Sequence, residues 1–403
     1  MRGTSDMSYS FNRHELAGSL GDLGTILPLA IGMIVINGLD PLGLFLSVGL
    51  FYIFSGGYFG VTAPVEPMKV IGAYAIAAGM SVTQLTASSA LMGLFLFFIG
   101  ASGAIIVIGR YVSKPVIRGV QLSTGVLLVS QGVKLILGTS TFQALSKLAE
   151  PYLVLQKIGA VPVGIVIGIV LGFTTLFLLE NKRFPAALVI VLSALVIGLV
   201  FGKHQGFGDL RWGINLPRFL PFGFPSVGDF TSALLILVIP QLPMTLGNAV
   251  VANADLARQY FGDHSKKVTY RALCITMAIG NGLSFLLGGM PMCHGAGGLA
   301  SRYRFGARTA GSNLIIGVLF ILLAMLLGDH ILSVIYLIPM SALGVLLLFA
   351  GGQLAMTIID IKGRKELFVP LMILGITLAS NLAVGFLTGI VLSYALRSDK
   401  FNV

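Results

Sequence analysis

The sequence predicts an all-α polytopic membrane protein. It has about fourteen membrane segments in two inverted repeats of seven, with two half-helices, segments 3 and 10, meeting near the bilayer midplane. Three observations predict this. Only 10% of the 403 residues are charged and 56% are hydrophobic, whereas a soluble domain carries about 25% charged residues. Apolar runs such as 85–108, 161–179 and 331–350 reach the ~17–25 residues that cross a bilayer. A Pro-Met signature also recurs in the third segment of each half, 224 residues apart from Pro67 to Pro291.

The first seven segments are 19–36, 42–60, 65–79, 84–108, 116–138, 160–179 and 184–201. The second seven are 231–252, 268–288, 291–303, 309–328, 331–351, 366–381 and 382–396. The whole chain, 1–403, reads as a single membrane transport domain. Residues 1–201 form the first repeat, 202–230 an extracellular connector holding the lone tryptophan Trp212, and 231–396 the second repeat. Segments 3 and 10 are too short to cross by themselves, and the last two join tightly at Ser380-Asn381.

Charge placement supports the count. With the N-terminus inside and sides alternating, the inner loops and tails hold Arg2, Arg13, Arg110, Lys114, Arg118, Lys182, Arg183, Arg258, Lys266, Lys267 and Arg271. They also hold Arg302, Arg304, Arg308, Lys362, Arg364, Lys365, Arg397 and Lys400. The outer loops hold Lys147, Lys157, Lys203, Arg211 and Arg218. That is 19 of 26 basic residues inside and five outside, the bias expected of cytoplasmic loops. The reading is a multi-pass protein of the cell membrane with both termini cytoplasmic. The net charge of +11 then follows from loop placement, and no nucleic-acid partner is expected. The lipid bilayer is the expected surrounding, and a homodimer is compatible with the sequence. Cys274 and Cys293 read as free thiols. No second His or Cys pair stands at ligand spacing, so neither a metal nor a cofactor is expected.

The repeated signature has a physical meaning. Segment 3 opens with Pro64-Val65-Glu66-Pro67-Met68-Lys69 and segment 10 with Met290-Pro291-Met292-Cys293-His294-Gly295. Proline suits the first turn of a helix, where its missing N–H costs nothing. A helix beginning inside the membrane offers free N–H groups and a partial positive charge, which make an anion site. Such paired interruptions in two halves mark the binding site of inverted-repeat transporters. The competing reading is that Pro and Gly only kink ordinary membrane helices.

Lys69 is the strongest single candidate, because an intramembrane lysine defaults to function. Glu66, three residues earlier, can pair with it, and a purely structural pair is the plainer reading. Asp22 either caps the first segment or lines the site, with Thr25 nearly one turn on. Gln241, Thr245 and Asn248 form a polar stripe in segment 8, near Pro240 and Pro243. His294 is the histidine deep in an apolar region and can donate to an anion or serve as a satisfied structural group. Gly295 and its neighbours allow close approach. Arg302, Arg304 and Arg308 read as the cytoplasmic anchor of segment 10.

These motifs carry a family likeness. Gly21-Asp22-Leu23-Gly24-Thr25, the Pro64–Lys69 stretch, Pro240-Gln241-Leu242-Pro243-Met244-Thr245-Leu246-Gly247-Asn248, and His294-Gly295-Ala296-Gly297-Gly298-Leu299-Ala300 with Tyr303-Arg304-Phe305-Gly306-Ala307-Arg308 together resemble the molybdate transporter family. That family is a branch related to the SulP sulfate permeases. The resemblance implies a core and a gate domain. It also implies a site between the half-helices, lined by segments 1 and 8, and import of molybdate, sulfate or a similar oxyanion. Two departures matter. Glu66 stands where the family commonly has Gln, and no cytoplasmic STAS domain is expected after Val403. No P-loop, paired metal motif or nucleophile elbow is visible. The chain is therefore not expected to be an enzyme, and an ion gradient, with H+ as coupling ion, is the expected energy source. A proton-coupled nucleobase transporter of the same fold is the alternative.

Overall fold

The computed structural model describes residues 9–103, 113–179, 181, 184–204 and 213–397. Arg2, Arg110, Lys182, Arg183, Arg211, Trp212 and Lys400 lie outside the described residues.

The chain is mostly helical. Segment 1 is α1 (Arg13–Ser19) and α2 (Leu23–Asn37), and segment 2 is α3 (Pro41–Phe59). A two-residue strand, β1 (Glu66–Pro67), leads into the short helix α4 (Lys69–Ala78), followed by α5 (Val82–Ser102) and α6 (Lys114–Leu137). Helix α7 (Thr141–Ser146) and a hairpin of β2 (Lys157–Ile158) and β3 (Val161–Pro162) precede α8 (Val163–Leu178) and α9 (Ala186–Phe201). The hairpin delays the expected start of segment 6 by three residues.

Segment 8 is not a plain α-helix. α10 (Val227–Ser232), α11 (Ile239–Met244) and α12 (Asn253–Phe261) are joined by π-helical stretches at Ala233–Val238 and Thr245–Ala252. The connector therefore ends before residue 230. Pro240 and Pro243 remove N–H donors from the ordinary hydrogen-bond ladder there, and the rare π turns are found frequently at functional sites. Next come α13 (Tyr270–Leu287), β4 (Met292–Cys293), α14 (Ala296–Arg304) and α15 (Gly311–Leu327). The expected segment 331–351 is broken into α16 (Ile331–Ile335) and α17 (Met340–Ala355). Pro339 cannot continue a helix, and the buried Glu150 caps the restart by accepting from the N–H groups of Met340 (2.8 Å) and Ser341 (2.9 Å). α18 (Arg364–Ala379) and α19 (Leu382–Ala395) follow, with Asn381 capping α19 through the Val384 N–H.

Among the described residues seven helices are long and apolar enough to cross a membrane, and five shorter apolar helices accompany them. A multi-pass membrane protein follows. The helices pack in two groups. In one, α3 packs on α13 and α15, and α5 packs on α13; in the other, α6 packs on α8, α17, α18 and α19. Helices α2 and α4 lie between, touching α17 and α6 respectively. In lipid, such contacts depend on close packing of small residues. At the α6–α17 seam a Cβ on Gly125 would lie 2.6 Å from the Gly351 carbonyl, and one on Gly344 2.6 Å from that of Gly132. Larger residues would separate the two helices.

Candidate functional site

The leads of the two half-helices are joined directly. β1 and β4 pair antiparallel, with Glu66 opposite Cys293 and Pro67 opposite Met292. The Met68 N–H donates to the Pro291 carbonyl at 2.9 Å. Asn281 holds the second lead from behind, donating to the Met292 carbonyl (2.7 Å) and accepting from its N–H (3.0 Å). Helices α4 and α14 thus begin beside one another inside the protein.

Two adjoining cavities, of about 430 and about 300 Å³, open at these helix starts. They share Gly24, Thr25, Lys69, Gly297, Ala350 and Gln353. The smaller is also lined by Asn248, Met244, Arg118, Gln121 and Thr357. Lys69 is the cation at the junction, its side chain 22% exposed. Its Nζ lies 3.2 Å from Glu66 Oε2. Glu66 is fully buried, with the Lys69 ammonium and the Thr25 side chain as its polar neighbours. The carboxylate lies against the start of α14. A Cβ on Gly298 would be 3.0 Å from Glu66 Oε1, and one on Gly295 would overlap Oε2. Glycine is required at both positions because the carboxylate occupies the space. A carboxylate at a helix N-terminus is electrostatically favoured there.

The expected site residues divide into two sets. Lys69, Thr25 and Asn248 line the cavities, with Glu66 and Gly295 directly behind them. Asp22, Gln241 and His294 stand further back, their polar atoms engaged by the protein. The Gln241 carbonyl accepts from the N–H groups of Val70 (2.9 Å) and Ile71 (3.3 Å), and its amide donates to Thr245 (2.9 Å). Gln241 therefore takes the very donors of α4 that an anion was expected to use. His294 Nδ1 is 2.7 Å from the Pro64 carbonyl and Nε2 is 3.0 Å from the Thr276 hydroxyl. A carbonyl only accepts, so Nδ1 carries the proton. The ring is packed against Phe51 and Phe59 and ties the two leads together.

Arg302 corrects the sequence reading. It is fully buried and is no membrane-surface anchor. Its Nη1 donates to Asp22 Oδ1 and the Ser19 carbonyl (both 3.1 Å), its Nε to Thr62 (2.9 Å), and its Nη2 to Ser312 and Asn313 (both 3.0 Å). Asp22 Oδ2 accepts from the Tyr52 hydroxyl at 2.7 Å. Asp22 caps nothing with its side chain. Arg118, Gln121, Gln353 and Thr357 were missed as lining residues. Their one signal was a polar residue inside an apolar run, as at Gln353.

Comparison with known proteins agrees with these motifs. The family model described as "Molybdate transporter of MFS superfamily" matches residues 14–128 and 233–354. "Molybdate transporter 1" of Chlamydomonas reinhardtii is 31% identical, over 94% of this chain and 90% of that protein. "Molybdate transporter 1" of Arabidopsis thaliana is 29% identical, over 93% and 86%. Among solved structures, the transmembrane domain of the cyanobacterial bicarbonate transporter BicA aligns with TM-score 0.64 and 18% identity, over 94% of this chain and 97% of that one. SLC26A9 aligns with TM-score 0.66 and 14% identity, over 95% of this chain and 65% of that one. At such identities the two structures speak for the fold alone. On the extent of the family match and the relatives aligned along nearly its whole length, the chain belongs to the molybdate transporter family, a family of transporters rather than enzymes.

Proposed function

We propose that the chain is a secondary transporter importing a tetrahedral oxyanion, molybdate or sulfate, across the cell membrane, with Lys69, Thr25, Asn248 and the start of α14 forming the binding site. The observation that carries this reading is Lys69 at the junction of two internal cavities, beside two paired helix starts. Asp22, Gln241, His294 and Gly295 act by positioning that wall. Radiolabelled molybdate uptake into proteoliposomes, competed by sulfate and by uracil, tests it. Saturable uptake suppressed by sulfate is the expected result; uracil-sensitive uptake without molybdate transport would favour the nucleobase alternative.

The transport cycle is proton-coupled through Glu66. With the α4 donors taken by Gln241, the start of α14 supplies roughly half a positive charge. With Lys69 and Glu66 both ionised, the site sums to about +0.5. Protonating Glu66 brings it to about +1.5, closer to balancing a dianion. Oxyanion affinity should therefore rise as pH falls. Glu66→Gln mimics the protonated acid, so it should keep binding and lose this pH dependence. Titrations of both proteins at several pH values check it, and parallel pH profiles would remove Glu66 from coupling.

The same proposal holds fourteen segments in a seven-plus-seven inverted repeat, 1–201 and 231–396, with both termini cytoplasmic. Supporting it, Lys114 and Arg118 meet Asp360 at one end of the bundle, and Glu15 accepts from the N–H groups of Arg308 and Thr309. Lys114, Arg118 and Arg308 are among the basic residues that the charge pattern assigns to the inner side. In a background lacking Cys274 and Cys293, single cysteines at Ser113 and Gly363 should react with impermeant thiol reagents only from the cytoplasm. Labelling of the Ser113 site from outside would overturn the segment count.

A further inference from the structure

Arg118 lies on α6, a helix absent from the motifs that carry the family likeness. Its side chain is 24% exposed, lines the smaller cavity and also reaches Asp360 at the end of the 3₁₀ turn Met356–Asp360. Two parallel bonds join them: Arg118 Nε to Asp360 Oδ1 at 2.9 Å and Nη2 to Oδ2 at 2.6 Å. Lys114 Nζ approaches the same Oδ2 at 3.0 Å. The third side of the guanidinium faces Gln121, with Nη1 to Oε1 at 2.7 Å, and Thr357 donates to that same Oε1 at 3.0 Å.

Three features single this cluster out. Asp360 does not line the cavity, whereas Arg118, Gln121 and Thr357 do. The guanidinium therefore spans from the cavity to the loop carboxylate. The cluster holds two cations and one carboxylate, leaving a net positive charge beside the cavity. The bidentate fork engaged by Asp360 is also the geometry by which arginine grips a tetrahedral oxyanion. A carboxylate and an oxyanion then compete for one set of donors.

We propose that Arg118 is a second oxyanion station at the mouth of the smaller cavity, on the path between the Lys69 site and the α6–α17 end, and that Asp360 is the resident carboxylate a passing oxyanion displaces. This rests on the transport reading above but concerns a different residue and a different step. Lys69 governs whether the ion binds; Arg118 governs whether it leaves. With Asp360 in place, Arg118 is held for transit and does not retain the ion. Without the carboxylate, the station should hold an oxyanion at equilibrium.

The test uses the full chain, with molybdate as probe, in proteoliposomes and in detergent. Asp360→Asn should add a second molybdate to the bound stoichiometry and slow transport at least about fivefold. Arg118→Gln should slow transport about tenfold while leaving molybdate affinity at the first site within about twofold. Loss of the α6–Asp360 tie could also slow transport for structural reasons, so the charge-swapped pair Arg118→Asp with Asp360→Arg is included. It restores an ion pair but removes the cation from the cavity. Continued slow transport by the swapped protein supports the station. Parental rates in the swapped protein or in Arg118→Gln, or a single bound molybdate in Asp360→Asn, overturns it. Failure of the parent chain to transport any tetrahedral oxyanion overturns the underlying reading as well, and is seen before any variant is made.

Discussion

Replacing Lys69 with alanine is expected to weaken oxyanion binding on the order of a hundredfold or more, beyond the range in which uptake saturates, while the protein stays folded in detergent. The ammonium is one partner of a buried pair at 3.2 Å, and its other face is open to the shared cavity wall. A charge-assisted hydrogen bond contributes about 1.5–3 kcal/mol, which is roughly a 10- to 150-fold change in affinity. Its removal also leaves Glu66 bare beside the incoming dianion. The two effects act together, so the expected loss is on the order of a hundredfold or more. The helix start survives because Gln241, not Lys69, satisfies the Val70 and Ile71 N–H groups. Equilibrium titration with molybdate, paired with thermal unfolding, checks both halves of the statement. The double variant with Glu66→Gln should bind better than Lys69→Ala, since the unpaired carboxylate is then gone. Unchanged affinity in Lys69→Ala would remove this residue from the site.

Much of the architecture was readable because lipid imposes a simple rule. Helices must be long and apolar, and breaks in them must be buried in protein or line a cavity. The Pro-Met leads were visible as such breaks, and they are paired in the fold. The split at Pro339 was less visible, because Leu337 and Ile338 are apolar and carried the run across the gap. The π stretches around Pro240 and Pro243 were not readable either: an apolar run has the same composition whether it is α or π. In this segment Gln241 and Thr245 are bonded to each other while Asn248 faces the cavity.

The site was half readable for a different reason. A polar residue inside a membrane segment shows that something needs it, but not whether the ligand or the protein does. Lys69 and Asn248 reach the cavity, whereas Asp22, Gln241 and His294 satisfy backbone or side-chain partners contributed by distant segments. No local pattern gives those partners. Arg302 shows the limit most clearly. Its neighbours Arg304 and Arg308 suggested a basic membrane-surface cluster, but its side chain turns inward to partners as far as 283 residues away.

Arg302→Met should therefore be the most damaging substitution outside the cavity. A guanidinium has five N–H donors, and here all five are placed: one on Thr62, two shared between Ser19 and Asp22, and two between Ser312 and Asn313. They join the α1–α2 turn, the lead to α4, α14 and the start of α15. The Tyr52 ring lies 5.1 Å from the guanidinium carbon and its hydroxyl holds the other oxygen of Asp22. Removing one partner of a buried ion pair costs about 3–5 kcal/mol, because the other charge is left uncompensated. Lysine should not rescue it, having three donors on a point charge instead of a planar fork. Removing both charges, Asp22→Asn with Arg302→Met, should recover part of the loss, since no lone buried carboxylate remains. The displaced α14 carries Gly297 of the cavity wall, so oxyanion affinity should fall along with stability. Thermal unfolding of the single and double variants in detergent measures this, and parental stability in Arg302→Met would show that the five-bond network does not hold these segments together.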